Sequence, residues 1–100
     1  MLNVLLADDE AKVIRHLQTA IPWKQLGLQV SATAQDGIAA LHAARGTAID
    51  IVITDIRMPG MDGLALCQKM RELNPDIQFI ILSGYQDFSY AKRAIDLQVL

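Results

Sequence analysis

Short, nearly continuous runs of apolar residues alternate along this chain with segments whose apolar residues recur every three or four positions. Runs of the first kind are typical of strands buried on both faces, and segments of the second kind are typical of helices packed on a sheet. The alternation therefore predicts βα units around a parallel sheet. Because crossovers between parallel strands are right-handed, such units form an open, doubly wound α/β fold whose ligand sites lie at the carboxyl ends of the strands.

The pattern places each element within narrow limits. The predicted strands cover residues 2–7, 28–34, 50–54 and 77–82, and residues 98–100 would begin a fifth strand. The predicted helices cover residues 11–21, 36–45, a segment that begins at Gly63 with Asp62 as its N-cap, and 87–97. Pro22 ends the first helix because its ring and missing N–H cannot continue the hydrogen-bond ladder. We expect the fourth predicted strand, residues 77–82, to be buried on both faces, like the third.

Each amphipathic element has a predicted buried face. For the first helix these residues are Val13, Leu17 and Ile21, and for the third helix they are Leu66, Cys67, Met70 and Leu73. For the second strand, the alternating residues Leu28, Val30, Ala32 and Ala34 are expected to face inward together.

Composition limits the functions open to the chain. At 100 residues, 1–100 is expected to form one domain with a single core. Nine Lys+Arg against eleven Asp+Glu give a net charge of -2 without a basic run, which argues against direct contact with nucleic acid. No export leader or long apolar stretch is present, so we expect no membrane contact and a cytoplasmic location.

The remaining residue types with metal-binding or nucleophilic chemistry do not indicate a second site. His16 and His42 lie on separate predicted helices without the spacing of a ligand pair, so both are expected to be exposed. Cys67 lies on an apolar stripe, where a free cysteine packs as a small hydrophobic side chain. Trp23 is expected to fix a surface loop between the first helix and the second strand.

Acidic residues follow two of the predicted strands. Asp8, Asp9 and Glu10 come directly after the first strand, and Asp55 ends the third. These carboxylates would converge if the two strands are neighbours, and converging carboxylates raise one another's pKa values and favour a bound cation. Oxygen ligands suit Mg²⁺. Taken without Asp55, the first three residues fit better as a helix N-cap with acidic first-turn residues that complement the helix dipole.

The stretch DIRMPGMDG, residues 55–63, resembles the DxxMPxxDG signature of response regulator receiver domains of two-component systems. VLLADDE, residues 4–10, resembles the first strand of these domains with its acidic pair. Ser83 and Gly84 match the Ser or Thr and the small residue found after their fourth strand. The three motifs occur in the family's order and span most of the chain.

The resemblance implies a flavodoxin-like (CheY-like) sheet with strand order 2-1-3-4-5. It assigns Asp55 as the nucleophile that takes a phosphoryl group from a phosphohistidine or a small acyl phosphate. It also implies that Asp9 and Asp55 bind Mg²⁺ directly, Asp8 through water, and Arg57 through its backbone carbonyl. Ser83 would hydrogen-bond to the attached phosphoryl group, although by itself Ser83 also fits a helix cap.

The resemblance also implies partners. A sensor histidine kinase would donate the phosphoryl group, and an output domain or a second receiver would respond to it. Two receivers could form a homodimer through the region of the fourth helix. The receiver would be no enzyme beyond catalysing its own Mg²⁺-dependent phosphorylation and dephosphorylation. The segment WKQLG, residues 23–27, and the segment SGYQDFSYAKRAI, residues 83–95, are similar to receivers fused to AraC-type helix-turn-helix domains. Such an output domain, lying outside this chain, would regulate transcription.

The chain departs from the family's pattern at its carboxyl end. Receivers have a complete fifth strand with an aromatic switch residue, an essential Lys and a fifth helix, and these 100 residues stop before them. We therefore expect either that the protein continues or that the fragment needs a partner. Two other functions stay open: a truncated receiver that acts only as a protein-binding module, and a metal-dependent phosphatase. Such phosphatases have a second Asp where Arg57 stands, which argues against that alternative.

Overall fold

The structure is a computed structural model that describes residues 1–82. The predictions for Ser83, for a helix over residues 87–97 and for the start of a fifth strand at residues 98–100 lie outside the described residues.

Four parallel strands and three helices alternate within residues 1–82. They are β1 (Leu2–Ala7), α1 (Ala11–Ala20), β2 (Leu28–Ala34), α2 (Gly37–Gly46), β3 (Ile51–Asp55), α3 (Gly63–Leu73) and β4 (Gln78–Leu82). The strands follow the order β2-β1-β3-β4 in the sheet, which confirms the predicted order as far as the described chain reaches. β1 and β3 are therefore adjacent at the centre.

The sheet separates two clusters of buried apolar side chains. On one face, Val4, Leu6 and Ile53 of the central strands pack with Ile14 of α1. On the other face, strand residues pack with α2 and α3; the cluster contains Leu5, Ala7, Val52, Phe79, Ala40, Leu41, Leu66, Cys67 and Met70 among its buried members. Helices therefore cover both faces of the sheet, as the doubly wound fold requires.

β2 does not have a single inward face. Its pairing with β1 shifts register at Ser31, because Val4 pairs with Val30 whereas Leu5 pairs with Ala32. Side chains alternate across a strand, so one extra residue moves all later side chains to the opposite face. Leu28 and Val30 pack in the cluster on the α1 side, and Ala32 and Ala34 pack in the cluster beneath α2 and α3. The prediction of one shared face for these four residues was wrong.

Two predicted helix faces are shifted from the observed ones. α1 ends at Ala20 rather than Ile21, and its buried residue is Ile14, which the predicted stripe left out. In α3, Leu64 is fully buried and Leu73 is 50% exposed, the reverse of the expectation for Leu73. Both differences have the same cause. The orientation of the helix axis on the sheet decides which of several adjacent apolar residues contacts the strands, and the sequence pattern does not contain this orientation.

No helix among residues 1–82 has the length and apolarity needed to cross a membrane.

β4 is buried on one face only, which corrects the prediction of burial on both. Phe79 is fully buried on the side of α2 and α3, whereas Ile80 and Leu82 are 38% and 37% exposed. Ile80 pairs with Ile53, so it points to the side of the sheet on which α1 packs. α1 covers β1 and β3 on that side, and these two side chains of β4 lie beyond it.

Trp23 fixes the loop between α1 and β2, as expected. Its ring packs against the cluster on the α1 side, and its indole Nε1–H donates to the Leu17 carbonyl at 3.2 Å. The Trp23 carbonyl accepts a hydrogen bond from Leu28 N–H at 2.9 Å. His16 and His42 are exposed and Cys67 is buried, as predicted.

The amino terminus of α2 makes a close backbone contact with the loop between β3 and α3. The helix is capped by the Asp36 carboxylate, which accepts from Ala39 N–H at 2.6 Å. A Cβ atom added at the buried Gly37 would overlap the backbone carbonyl oxygen of Met61. Only a residue without a side chain fits at this point, because the obstacle is backbone rather than a flexible side chain.

We therefore expect Gly37→Ala to lower the free energy of unfolding by about 1–3 kcal/mol through overpacking. Gly46→Ala is the matched control, since Gly46 is on the same helix and an added Cβ there meets no atom within 4 Å. That substitution should change stability by less than about 1 kcal/mol, in the stabilising direction. Urea denaturation of the two variants measures the difference, and equal stabilities would show that the loop yields to the added methyl group.

Candidate functional site

The predicted acidic residues converge at one edge of the sheet. Ala7, the last residue of β1, pairs with Thr54 of β3, so Asp8 and Asp55 emerge next to each other at the carboxyl ends of the two central strands. Asp8, Asp9 and Asp55 each offer a carboxylate oxygen, and these three oxygens lie within 4.8 Å of one another. The expected cluster therefore forms from residues that are far apart in sequence.

The helix-cap alternative for Asp8, Asp9 and Glu10 is not what the structure shows. Glu10 occupies the N-cap position of α1 but makes no side-chain cap hydrogen bond, and the first turn of the helix contains no acidic residue. Asp8 is 7% exposed, and its Oδ1 accepts from Glu10 N–H at 2.9 Å, before the helix begins. The carboxylate of Asp8 is thus directed to the edge of the sheet, where Asp55 lies.

Asp55 is held by the first peptide of the loop that follows β3. Its Oδ1 accepts from Ile56 N–H at 2.8 Å, which fixes the rotation of the half-buried carboxylate. The loop then returns close to its start, because Gly63 N–H donates to the Ile56 carbonyl at 2.6 Å. α3 begins there, capped by the Asp62 carboxylate, which accepts from Ala65 N–H at 2.7 Å, as the sequence predicted.

Burial, and after it the crowding of carboxylates, raises the pKa values of Asp8 and Asp55 above the ordinary 3.8. Desolvation by burial is the largest cause for both groups, because it penalises the charged form. Repulsion adds to it: Asp8 feels the charges of Asp55 and Asp9, and Asp55 feels that of Asp9. The hydrogen bonds from Glu10 N–H to Asp8 and from Ile56 N–H to Asp55 act in the opposite direction.

This arrangement fits a divalent cation of the hard, oxygen-binding kind. The three available ligand atoms are carboxylate oxygens, they lie close enough together to share one ion, and Asp9 is exposed, so water can complete the coordination. Mg²⁺ is bound in proteins through few carboxylates and several waters. A cation would also offset the burial and repulsion that raise the two pKa values.

The raised pKa values predict how metal-free protein responds to pH. An acid with a higher pKa in the folded than in the unfolded chain binds more protons when folded, so its stabilising contribution is full below the unfolded pKa and is lost as pH rises through the folded pKa. Without metal, the stability of the wild type relative to Asp8→Asn should therefore fall as pH rises above 3.8. Urea denaturation of both proteins in a chelator, at a series of pH values from below 3.8 upward, measures the difference in their free energies of unfolding. A difference that is independent of pH contradicts the prediction.

The other predicted site residues have different outcomes. The side chain of Arg57 is exposed at the start of the loop, while a role for its carbonyl in metal binding stays a prediction, as does the role of Ser83. Met58 is buried in the core beneath α2 and α3, with Met61 packed at its margin. Burial raises the pKa of the Cys67 thiol to about 12, which is typical of an inert structural cysteine.

Sequence reasoning missed Thr54. It is fully buried, next to Asp55, and its hydroxyl donates to the Asp55 carbonyl at 2.9 Å. The signal was present in the sequence: a single polar residue stands at the end of an otherwise apolar buried run, where an unpaired hydroxyl is unfavourable.

A family model described as the response regulator receiver domain matches residues 4–100 of this chain. Among curated proteins, the uncharacterized transcriptional regulatory protein YesN of Bacillus subtilis is 43% identical over 95 residues, which cover 95% of this chain and 26% of the relative. The transcriptional regulatory protein HptR of Staphylococcus aureus is 39% identical over 100 residues, which cover 100% of this chain and 39% of the relative. The chain thus spans between a quarter and two fifths of the length of these relatives.

Solved structures agree with the sequence matches. The receiver domain of AraT, a response regulator from Geobacillus stearothermophilus, has a TM-score of 0.90 and 42% identity, with coverage of 98% of this chain and 76% of that chain. CheY in a CheX–CheY–BeF3–Mg²⁺ complex from Borrelia burgdorferi has a TM-score of 0.84 and 27% identity, with coverage of 98% and 73%. The family match, the strand order and the carboxylates at the strand ends agree with one another, and the chain belongs to the response regulator receiver domain family of two-component systems.

Proposed function

We propose that Asp55 is the phosphoacceptor of this receiver and that a sensor histidine kinase is its phosphoryl donor. The observation that carries the proposal is the convergence of Asp8, Asp9 and Asp55 at the carboxyl ends of β1 and β3. Asp55 is the member of this group that the motif over residues 55–63 identifies as the nucleophile. Carboxylates form covalent phosphoryl intermediates in other proteins, so the side chain is chemically suited to the role.

In the transfer, a carboxylate oxygen of Asp55 forms a bond to phosphorus. The bond from phosphorus to the histidine nitrogen of the donor, or to the acyl oxygen of a small acyl phosphate, breaks, and its electron pair leaves with the donor. Ile56 N–H donates to Oδ1 of Asp55, so the carboxylate is oriented before the donor arrives. Such prior orientation lowers the entropic part of the barrier.

We propose that the cofactor is Mg²⁺, with Asp9 and Asp55 as direct ligands, Asp8 acting through water and the Arg57 carbonyl as a further ligand. When bound, the cation neutralises charge on the carboxylates and on the phosphoryl oxygens where it develops. Asp8, which is buried, and Asp9, which is exposed, have different surroundings. The difference is consistent with a solvent-facing direct ligand and an inner residue that orients the site.

The phosphorylated receiver is proposed to change its contacts with an output domain or with a second receiver, and Ser83 is proposed to bond to the new phosphoryl group. Two of the similar curated proteins are transcriptional regulators and are longer than this chain, which supports a transcriptional output domain outside these 100 residues. The only catalysis proposed for the chain is that of its own phosphorylation and dephosphorylation.

The proposal is tested with the full-length protein, acetyl phosphate and Mg²⁺. Intact-mass measurement should show one added phosphate per chain, and a chelator should prevent the addition. Peptide mapping after reduction of the acyl phosphate with borohydride should place the label at Asp55. Protein that gains no phosphate in Mg²⁺, although its fold is shown to be intact by circular dichroism, contradicts the proposed function.

A further inference from the structure

Thr54 has no part in the proposed phosphoryl transfer or in the proposed Mg²⁺ site. It lies at the centre of the sheet, one residue before the proposed phosphoacceptor, and it is fully buried. Its hydroxyl lies 2.9 Å from the Asp55 carbonyl oxygen and 3.8 Å from the Met58 sulfur. A hydroxyl donates one proton, and the shorter contact to the stronger acceptor takes it, so the bond goes to the Asp55 carbonyl.

The Asp55–Ile56 peptide group connects this hydroxyl to the Asp55 side chain. At one end of the peptide, the carbonyl oxygen accepts from Thr54 Oγ1. At the other end, Ile56 N–H donates to Asp55 Oδ1 at 2.8 Å. A peptide group is planar, so fixing the direction of its carbonyl also fixes the direction of its N–H. The orientation of the Thr54 hydroxyl is thereby transmitted to the carboxylate.

Gly63 restricts the same peptide from another side. A Cβ atom added at Gly63 would overlap the Asp55 carbonyl oxygen, so the first residue of α3 lies directly against it. Gly63 N–H also donates to the Ile56 carbonyl at 2.6 Å. The peptide is therefore restrained sterically by α3 and by a hydrogen bond from β3, and Thr54 supplies the hydrogen bond.

We propose that Thr54 is a positioning residue, whose hydroxyl holds the Asp55–Ile56 peptide so that Ile56 N–H orients the Asp55 carboxylate toward Asp8 and Asp9. Its effect on metal affinity and phosphorylation rests on the proposed function; its effect on the carboxylate does not. If the Thr54 hydroxyl only found a hydrogen-bond acceptor in the core, it would contribute to stability but would not affect the hydrogen bond from Ile56 N–H to the Asp55 carboxylate.

Two variants separate these roles. Thr54→Val keeps the β-branched shape and removes the hydroxyl, whereas Thr54→Ser keeps the hydroxyl and removes a methyl group. In metal-free full-length protein, amide hydrogen exchange of Ile56 reports the bond to Asp55 Oδ1. The Ala65 amide is the matched internal control, because it donates to the Asp62 carboxylate in the same way at 2.7 Å, away from Thr54. A global loss of stability would accelerate both amides.

We expect Thr54→Val to accelerate exchange of Ile56 relative to Ala65 by about two- to tenfold, the range for one hydrogen bond, and to weaken Mg²⁺ binding by a similar factor. Thr54→Ser should resemble the wild type in both measurements. Equal responses of Ile56 and Ala65, or failure of Ser to restore the wild-type values, overturn the positioning role. If Thr54→Val accelerates exchange of Ile56 but not of Ala65, and the wild type neither binds Mg²⁺ nor gains phosphate, the positioning role of Thr54 is supported and the proposed function is contradicted.

Discussion

Asp55→Asn is expected to abolish phosphorylation by acetyl phosphate, reducing its rate by at least about three orders of magnitude, as loss of a nucleophile does in covalent catalysis. Asn keeps an oxygen that can accept from Ile56 N–H, as Asp55 Oδ1 does at 2.8 Å, so the loop should stay in place. What the substitution removes is the charged oxygen that bonds to phosphorus. Intact-mass measurement over time, with saturating Mg²⁺, gives the rate for both proteins.

The control for this substitution is Asp36→Asn. Asp36 caps α2 through a hydrogen bond to Ala39 N–H at 2.6 Å, and Asn caps helices about as well as Asp. The chemical change is identical but lies outside the carboxylate cluster, so this variant should gain one phosphate at close to the wild-type rate. If Asp55→Asn still gains one phosphate per chain, or if both variants lose the reaction, the assignment of Asp55 is wrong.

Asp9→Asn is expected to weaken Mg²⁺ binding by at least the ~10- to 100-fold that loss of even an indirect partner brings to metal sites. Asp9 is the exposed member of the cluster, so the substitution should perturb the fold little. It removes one negative charge and one of the three oxygens that lie within 4.8 Å of each other. Titration with Mg²⁺, followed by the amide resonances of residues 8–10 and 55–57, gives the dissociation constant.

Asp76→Asn provides the comparison for the change in net charge alone. Asp76 is exposed in the turn before β4, at the opposite ends of the strands from the cluster. Its loss should leave the dissociation constant within about twofold of the wild type, because exposed charges beyond a Debye length are largely screened. A similar loss of affinity in both variants would show that Mg²⁺ responds to overall charge, which contradicts a site built from Asp8, Asp9 and Asp55.

Thr54 and Gly63 show how far the site could be predicted from the sequence. Asp62 and Gly63 were expected to begin α3, and they do, because capping depends on residues three positions apart. The contact of Gly63 with the Asp55 carbonyl oxygen was not predicted. It joins the two ends of a loop whose path no local pattern specifies. The same holds for Thr54: a hydroxyl in a buried strand indicates a hydrogen-bond partner, but the sequence does not show which group that partner is.

The existence and order of the described strands and helices, and the position of Asp8, Asp9 and Asp55 at strand ends, could be predicted from the amino-acid sequence. These features follow from local periodicity and from the topology of parallel sheets, which hold for any chain with this pattern.

Which faces are buried and which backbone groups come into contact depends on how the elements pack, and the sequence pattern does not specify this. The register shift at Ser31 divides β2 between two clusters, Ile80 lies exposed beside the area that α1 covers, and Gly37 lies against the Met61 carbonyl. Each depends on the relative placement of elements that are distant in sequence. A shift of one residue in strand register, or of one ångström in packing, changes which side chains are buried and which backbone groups are in contact, whereas the apolar periodicity of each element stays the same.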